Sequence, residues 1–307
     1  MPITVEDDVI VRVKNVLIDQ QRPMKERFRA LFTLKNLGSE KAIAGISECF
    51  SDPSALLKHE CAYCLGQLKD TSAIPILSSV LKDTCQDEMV RHEAGEALGA
   101  IGSTEVIDLL KEYSKDSSVA VAETCQLAVE RIQWLHSEKS KQEILSENPY
   151  CSVDPAPPCE ESSVNELKAT LLDETLPLFK RYRAMFSLRN RGDDESALSL
   201  AEGLKCKSAL FRHEIAYVLG QMANKSPVEQ LKVNLQDENE VPMVRHECAE
   251  ALGAIATDEC MQLLQNYLKD REIVVKESCE VALDMCDYNK SDEFQYADGL
   301  NKQQFNT

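Results

Sequence analysis

Long apolar runs are missing from this sequence: no stretch reaches the roughly 18 consecutive apolar residues of a membrane-spanning helix. Aromatic residues make up only 6% of the chain, and Gly and Pro number 11 each, which is few for a turn-rich all-β protein. Basic residues are outnumbered, since 34 Lys and Arg stand against 52 Asp and Glu, giving a net charge of −18. This balance argues against a nucleic acid or an anionic membrane as the main partner. The composition favours a helical protein, with acidity that suits a cationic partner or simply solubility.

A secretory signal is also missing, because the first residues (MPITVEDDVIVRV) lack a basic start followed by an apolar block. Twelve cysteines without such a signal predict reduced thiols in the cytoplasm, with the nucleus as the other compartment. Cys61 and Cys64 have the CxxC spacing of a zinc or redox site. The corresponding positions later in the chain are Ile215 and Val218, so we interpret the pair as small buried hydrophobic residues.

What the sequence does contain is an internal duplication. The segment MVRHEAGEALGAI at 89–101 recurs as MVRHECAEALGAI at 243–255, with 11 of 13 residues identical and an offset of 243 − 89 = 154. The same offset maps RFRALFTLKNL at 27–37 onto RYRAMFSLRNR at 181–191. One half of the chain is therefore a copy of the other, in the same register.

A shorter period lies inside each half, since 33 residues separate His59 from His92 and the same number separates their counterparts. Each unit carries two stretches with apolar residues at helical spacing, such as 73–82 followed by 88–101. Two helices in a unit of about 33 residues are typical of an α-solenoid. The predicted fold class is all-α, an α-solenoid of eight helix pairs in two pseudo-symmetric halves of four repeats.

Composition also predicts where the halves begin and end. Residues 137–163 are polar and contain three prolines within 155–158, which is typical of a flexible linker. The end of the chain is polar and aperiodic, which predicts disorder. The expected segments are an N-terminal half (1–136), a linker (137–163), a C-terminal half (164–287) and a disordered tail (288–307).

Four of the five histidines are followed directly by glutamate, at matched positions of the two central repeats in each half. These dipeptides are His59-Glu60, His92-Glu93, His213-Glu214 and His246-Glu247. Packed helices lie about 8–10 Å apart, so histidines at matched positions can converge on one atom. If the halves close on each other, four imidazoles and four carboxylates meet, enough for two metal ions with four ligands each. Imidazole and carboxylate without thiolate favour iron or manganese over structural zinc, and are compatible with O2 chemistry.

Simpler interpretations of these residues exist. A single His-Glu on a helix is usually a solvated ion pair, but recurrence at both 33 and 154 residues argues against that interpretation. His136 lacks the glutamate and is expected at the surface. Four mid-helix glycines, each costing about 1 kcal/mol relative to alanine, indicate close backbone approach, either for helix packing or to leave room for a substrate chain. They are Gly66, Gly99, Gly220 and Gly253.

The segments that close these repeats, LGQL, LGAI, LGQM and LGAI, resemble HEAT-type repeats of the phycobilin-lyase subclass. The whole arrangement over about 5–286 is similar to the deoxyhypusine hydroxylase family: two four-repeat halves, a variable acidic linker, and paired HEAYxLGQ-like and VRHEAxEALGAI motifs. Cys248 and Ile215 replace the small or aliphatic residues more usual after His-Glu. No ligand position departs from the family's pattern.

This resemblance implies a di-iron mono-oxygenase that uses O2 to hydroxylate the deoxyhypusine side chain of a translation factor, completing hypusine formation. It implies two iron ions per chain, and it makes the four glutamates the catalytic residues as well as ligands. The implied iron ligands are His59, Glu60, His92, Glu93, His213, Glu214, His246 and Glu247. The substrate side chain is a polyamine, which agrees with the net charge of −18.

Two other functions stay open at this point. One is a non-catalytic scaffold that binds a partner along its concave face, as solenoids commonly do. The other is an enzyme of the same repeat subclass that attaches bilins to phycobiliproteins, a chemistry with no evident need for four His-Glu pairs.

Overall fold

Helices are the only regular secondary structure in the residues that the computed structural model describes, which are 6–160, 162–293 and 295–300. The first half contains eight α-helices: α1 (Asp7–Ile18), α2 (Met24–Leu37), α3 (Glu40–Ser47), α4 (Ala55–Leu68), α5 (Ile74–Lys82), α6 (Glu88–Ile101), α7 (Ile107–Tyr113) and α8 (Val119–Leu135). A single turn, α9 (Lys139–Gln142), follows. The second half contains α10 (Val164–Leu172), α11 (Leu178–Arg191), α12 (Asp194–Ala201), α13 (Ala209–Met222), α14 (Val228–Gln236), α15 (Pro242–Ile255), α16 (Asp258–Tyr267) and α17 (Ile273–Asn289). The prediction of eight helix pairs is confirmed, and none of the described helices is long and apolar enough to cross a membrane.

The second helix of each pair lies on the inside of the solenoid. In the first half α4 packs on α6 and α6 on α8, and in the second half α13 packs on α15 and α15 on α17. The two halves meet at both ends, because α8 contacts α11 and α13 while α17 contacts α2 and α4. The inner helices therefore surround a common centre, and the pseudo-symmetry places equivalent residues of the two halves opposite each other.

Mid-helix glycines allow the inner helices to approach closely. A Cβ atom on Gly99 would lie 2.7 Å from the Ala128 Cβ, and one on Gly253 would lie 2.6 Å from the Ala282 Cβ. Such distances are too short for real Cβ contacts, so both glycines serve helix packing.

The segment between the halves makes side-chain contacts with α11, while its predicted flexibility remains a prediction. The Asp154 carboxylate accepts hydrogen bonds from both terminal nitrogens of Arg189, at 2.7 and 2.8 Å. Glu143 pairs with Arg183 at 2.7 Å, so the segment is bound to α11 at two points. Charged side chains thus hold a segment against α11 whose composition alone indicates a linker.

The end of the described chain also packs against the first half. Helix α17 extends through Asn289, past the predicted start of the tail, and the Tyr296 ring lies 4.8 Å from the Arg29 guanidinium. Residues 301–307 of the predicted tail lie outside the described residues. The bounds of the halves, linker and tail remain a prediction.

Candidate metal centre

Side-chain caps position three of the four His-Glu motifs. The Ser54 side chain accepts a hydrogen bond from the Leu57 backbone N–H at the start of α4. Ser208 does the same for Phe211 at the start of α13, as Asp87 does at the start of α6. Side chains of Ser and Asp at this position satisfy backbone N–H groups that the helix leaves unpaired. The caps set the starts of α4, α6 and α13, and Pro242 stands at the start of α15, which has no side-chain cap. Each His-Glu motif therefore lies within the first two turns of its helix, on the inner side.

The four imidazoles of these motifs converge at the centre. Their ring centroids are 5.4 Å apart for His59 and His92, and 5.3 Å apart for His213 and His246. Between the halves the separations are 5.7 Å for His59 and His213, and 5.3 Å for both His59–His246 and His92–His213. The two halves thus bring together the side chains that the sequence places 33 and 154 residues apart.

The four glutamates of the motifs divide into two geometric pairs. Glu93 Oε2 lies 3.3 Å from His59 Nε2, and Glu247 Oε2 lies 3.4 Å from His213 Nε2. Glu60 and Glu214 are also buried, and they line the same cavity beside the imidazoles as Glu93 and Glu247 without such a contact to a ring nitrogen. Glu214 Oε1 has no hydrogen-bond partner among the described residues.

The imidazole nitrogens suit a bound cation. Both ring nitrogens of all four histidines are buried without a hydrogen-bond partner in the described part of the chain; the contacts to Glu93 and Glu247 lack hydrogen-bond alignment. Leaving such groups unsatisfied is costly, so eight nitrogens at one centre call for a ligand. Three ligand sets have their atoms within 4.8 Å of one another: His59, His92 and Glu93; His246, Glu247 and Glu250; and His59, His213 and His246. The donor chemistry and the geometry fit metal ions.

Burial governs the protonation of the cluster. It lowers the pKa of His59 to about 4 and lowers those of His92 and His246 well below their usual value, which keeps the rings neutral. Burial also lowers the pKa of His213, but Glu247 beside it raises the value overall. Burial raises the pKa of Glu93 to about 8. Neutral imidazoles, and carboxylates whose ionised form needs a positive counter-charge, fit a site that binds a cation.

Two further pairs of residues belong to the centre and were not singled out from the sequence. Glu96 and Glu250 follow the second histidine of each half by four residues, and Tyr63 and Tyr217 follow the first. The tyrosine hydroxyls are 2.9 Å apart and join the two halves by a hydrogen bond. Residues at i and i+4 share a helix face, so the spacing could have identified all four.

Glu250 has a defined position behind His246. Its Oε1 lies 3.5 Å from His246 Nδ1 and accepts a hydrogen bond from the Ser278 hydroxyl at 3.0 Å. A carboxylate behind a metal-bound imidazole fixes its tautomer and orientation. The single outlying histidine, His136, is exposed as expected.

A cavity of about 270 Å³ adjoins the cluster and opens between α2 and α17. Its inner wall carries Glu60, Glu93, Glu96, Glu214, Glu247 and Glu250. Its outer wall is apolar, with Phe32, Val281 and Met285. The site therefore consists of an acidic, imidazole-rich interior reached past apolar side chains.

Fold and site together define a class: an α-solenoid whose inner helices enclose a cluster of imidazoles and carboxylates beside a cavity. The profile of the HEAT repeats family matches residues 43–130 and 197–284. The chain is 59% identical to the deoxyhypusine hydroxylase of Danio rerio over 295 residues, covering 96% of this chain and 97% of that protein. It is 57% identical to the deoxyhypusine hydroxylase of Homo sapiens over 298 residues, covering 97% of this chain and 98% of that protein.

A solved structure agrees with these relatives. The structure of human deoxyhypusine hydroxylase in complex with glycerol has a TM-score of 0.88 to this chain at 58% identity, covering 92% of this chain and 96% of that one. The chain belongs to the deoxyhypusine hydroxylase family. This membership supports the hydroxylase interpretation of the sequence, and it does not support the scaffold alternative.

Proposed function

We propose that this chain hydroxylates the deoxyhypusine side chain of a translation factor, with two iron ions as cofactor and O2 as co-substrate. The observation that carries the proposal is the convergence of four buried imidazoles, unpartnered in the described residues, with the glutamates of their motifs. Iron bound by imidazole and carboxylate ligands, with open positions left, supplies the activation of O2. The hydroxylase relatives support the reaction class.

We propose that the ligands divide by half. His59, His92 and Glu93, whose ligand atoms lie within 4.8 Å of one another, would hold one ion. Pseudo-symmetry then assigns His213, His246 and Glu247 to the other, with Glu247 Oε2 3.4 Å from His213 Nε2. Each set offers two imidazoles and one carboxylate, the ligand type of non-haem iron sites that activate O2. Glu250, behind His246, would keep that ring in the orientation that presents Nε2 to the metal.

Glu60 and Glu214 have a second role open to them besides the ligand role predicted from the sequence. Both line the cavity, and burial together with neighbouring carboxylates raises the pKa of each well above its usual value. A cationic amine entering the cavity would supply the positive charge that these carboxylates lack. We therefore propose that Glu60 and Glu214 bind the amine of the substrate. The iron content of variants at these two positions tests whether they also bind iron.

The proposed substrate is a side chain of another protein, so the cavity must admit a polyamine side chain while the enzyme stays folded. The net charge of −18 supports a cationic partner and disfavours nucleic acid. The proposed compartment is the cytoplasm, where reduced cysteines are expected; none of the twelve is disulfide-bonded.

The test is hydroxylation by the purified, iron-loaded chain with a reductant and labelled O2. A translation factor carrying deoxyhypusine should gain one labelled oxygen atom, and the same factor with unmodified lysine is the control. No oxygen transfer, or transfer of oxygen from water instead of O2, would rule out the proposed reaction.

A further inference from the structure

The cavity beside the cluster is one-sided, although the chain is duplicated. Most of its wall belongs to the second half, where Ala254 on α15 and Val281 and Met285 on α17 face Phe32 on α2. Met285 and Phe32 are partly exposed, whereas the four glutamates of the His-Glu motifs are buried at the other end of the cavity. We call Phe32, Val281 and Met285 the apolar mouth.

The pseudo-symmetry predicts a second mouth in the first half, lined by the residues that correspond to the apolar mouth at an offset of 154. Phe32 corresponds to Phe186, Val281 to Leu127 and Met285 to Arg131. An open equivalent would therefore be lined by Leu127 and Arg131 on α8 facing Phe186 on α11.

That second position is filled. Arg131 occupies the place of Met285 and donates hydrogen bonds to the backbone oxygens of Gly99, at 2.5 Å, and Asp154, at 2.7 Å. The Asp154 carboxylate in turn binds Arg189, whose guanidinium lies 4.8 Å from the Phe186 ring. The face that matches the apolar mouth is thus covered by arginines and by the chain between the halves.

The same segment is fixed to the inner helices of both halves. Val153 donates its N–H to Gln67 Oε1 at 2.8 Å and accepts from Gln67 Nε2 at 3.2 Å. The counterpart Gln221 donates to the Tyr217 hydroxyl and accepts from Arg189, and Ala156 is fully buried. We call residues 152–156 the linker strap.

The end of the described chain binds beside the apolar mouth, at the place that corresponds to the linker's binding site in the other half, but it does not fill the mouth. The Gly299 N–H donates to the Thr33 hydroxyl at 3.1 Å, just as the Cys159 N–H donates to the Ser187 hydroxyl at 2.7 Å. Tyr296 borders the mouth, with its ring centroid 6.0 Å from that of Phe32. Within the described residues, the strap fills one of two equivalent positions and the other stays open.

We infer that the substrate side chain enters only through the second half, past Met285, and that the linker strap closes the equivalent path in the first half. This inference rests on the proposed function. A polyamine side chain alternates methylene groups with cationic nitrogens. Its methylenes suit the apolar mouth, and its ammonium groups suit the carboxylates at the inner end. On the closed side, the cations of Arg131 and Arg189 stand where such a chain would have to pass.

The duplication itself supplies the test, because the two positions can be exchanged. The M285R substitution places at the open mouth the residue that stands on the closed side. It should lower kcat/KM for the deoxyhypusine-containing factor about tenfold or more, mainly through KM, since it obstructs the path and repels a cation. The affinity for the factor without O2 should fall by a similar factor, whereas iron content and helical content should stay at the wild-type level.

Two variants serve as controls. M285L keeps the volume and the apolar character and should lower kcat/KM and affinity far less than M285R does. R131M makes the reciprocal change on the closed side and should also keep both values close to wild type. If M285R does not fold, M285W replaces it and should also lower kcat/KM and affinity. If R131M does not fold, Q67A at the strap replaces it and should also keep both values close to wild type.

The outcomes distinguish this inference from the proposed function. Wild-type protein that fails to hydroxylate the factor overturns the proposed function. An active wild type whose M285R variant binds and turns over the factor normally overturns the inference, as does a folded, iron-loaded R131M that loses affinity as much as M285R.

Discussion

At the residue scale, the two glutamates of each half differ in what they touch. All four line the cavity, but only Glu93 and Glu247 lie within 3.4 Å of an imidazole nitrogen, whereas Glu60 and Glu214 face the cavity without that contact. The His-Glu spacing predicts the four dipeptides as a group, but it does not separate these roles. The separation depends on side-chain direction, which the sequence does not specify.

This difference predicts two phenotypes. E93Q and E247Q should lose most of their bound iron, because a neutral amide neither balances the charge of the ion nor matches a carboxylate as ligand. E60Q and E214Q should keep most of their iron but lose turnover, because the amine of the substrate loses its counter-charge. Iron analysis and kcat/KM on the same preparations measure both. If E60Q and E214Q lose as much iron as the other pair, all eight residues are ligands, as the sequence predicts.

At the element scale, the duplication offers internal controls for packing. Gly253 on α15 is so close to α17 that an added Cβ would be 2.7 Å from the Ala282 Cα. We expect G253A to lower the free energy of unfolding by about 1–3 kcal/mol, because the helices must separate to accept a methyl group. Urea unfolding monitored by circular dichroism measures the change. A variant as stable as wild type would show that the helices can shift at no cost.

The C-cap of the same helix predicts a change of the opposite sign. Ala256 has φ +56°, in the left-handed region, and its counterpart in the first half is Gly102, with φ +78°. Because glycine adopts this conformation without strain, A256G should raise the free energy of unfolding by about 0.5–1 kcal/mol. The same urea experiment detects it, and a loss of stability would contradict the assigned backbone conformation.

Arginines at repeated positions connect successive repeats. Arg91 donates to the Leu81 carbonyl and to both carboxylate oxygens of Asp116, and Arg245 makes the same bonds to Leu235 and Asp270. The bond from Arg91 holds the pKa of Asp116 below its usual range. The pair's stabilisation is therefore complete above the carboxyl's unfolded pKa of about 4, and it is lost as the pH falls through the lower folded value.

We expect D116N to cost about 2 kcal/mol at neutral pH, because the arginine loses a charged partner. The cost should shrink as the pH falls below the unfolded pKa of about 4, and it should vanish only below the lowered folded pKa of Asp116, where the wild-type carboxyl is protonated as well. Thermal or urea unfolding across this range, in wild type and variant, measures the difference. A cost that does not depend on pH would show that packing, and not charge, makes the contribution.

At the scale of the whole molecule, periodicity accounts for most of what the sequence predicts. The eight helix pairs follow from two offsets, and the convergence of the histidines follows from closing two copies on each other. The contacts of the linker strap do not follow, because the bond between Asp154 and Arg189 joins residues 35 apart with no periodic pattern. The sequence likewise does not predict that the first-half mouth is closed. Arg131 and Met285 are equivalent positions, but the consequence of this difference depends on the contacts that the linker strap makes.

The proposed centre would draw its ligands from both halves, so neither half should form the di-iron centre alone. Residues 1–136 and 164–287 expressed separately should each be helical, because solenoid repeats need only their neighbours. Each half contains only one set of two histidines and a glutamate, and mixing the halves should restore iron binding. Residues 1–136 binding two irons as tightly as the whole chain would show that the centre does not span the halves.

The claim on which the account depends is that the four His-Glu motifs form one centre for two iron ions. Metal analysis of the full chain, purified without chelators, tests it most directly, with a H59A and H213A double variant as control. We expect about two irons per wild-type chain, as two imidazole-carboxylate sets require, and far less iron in the folded double variant. One zinc per chain, no metal, or unchanged iron in the double variant would contradict it.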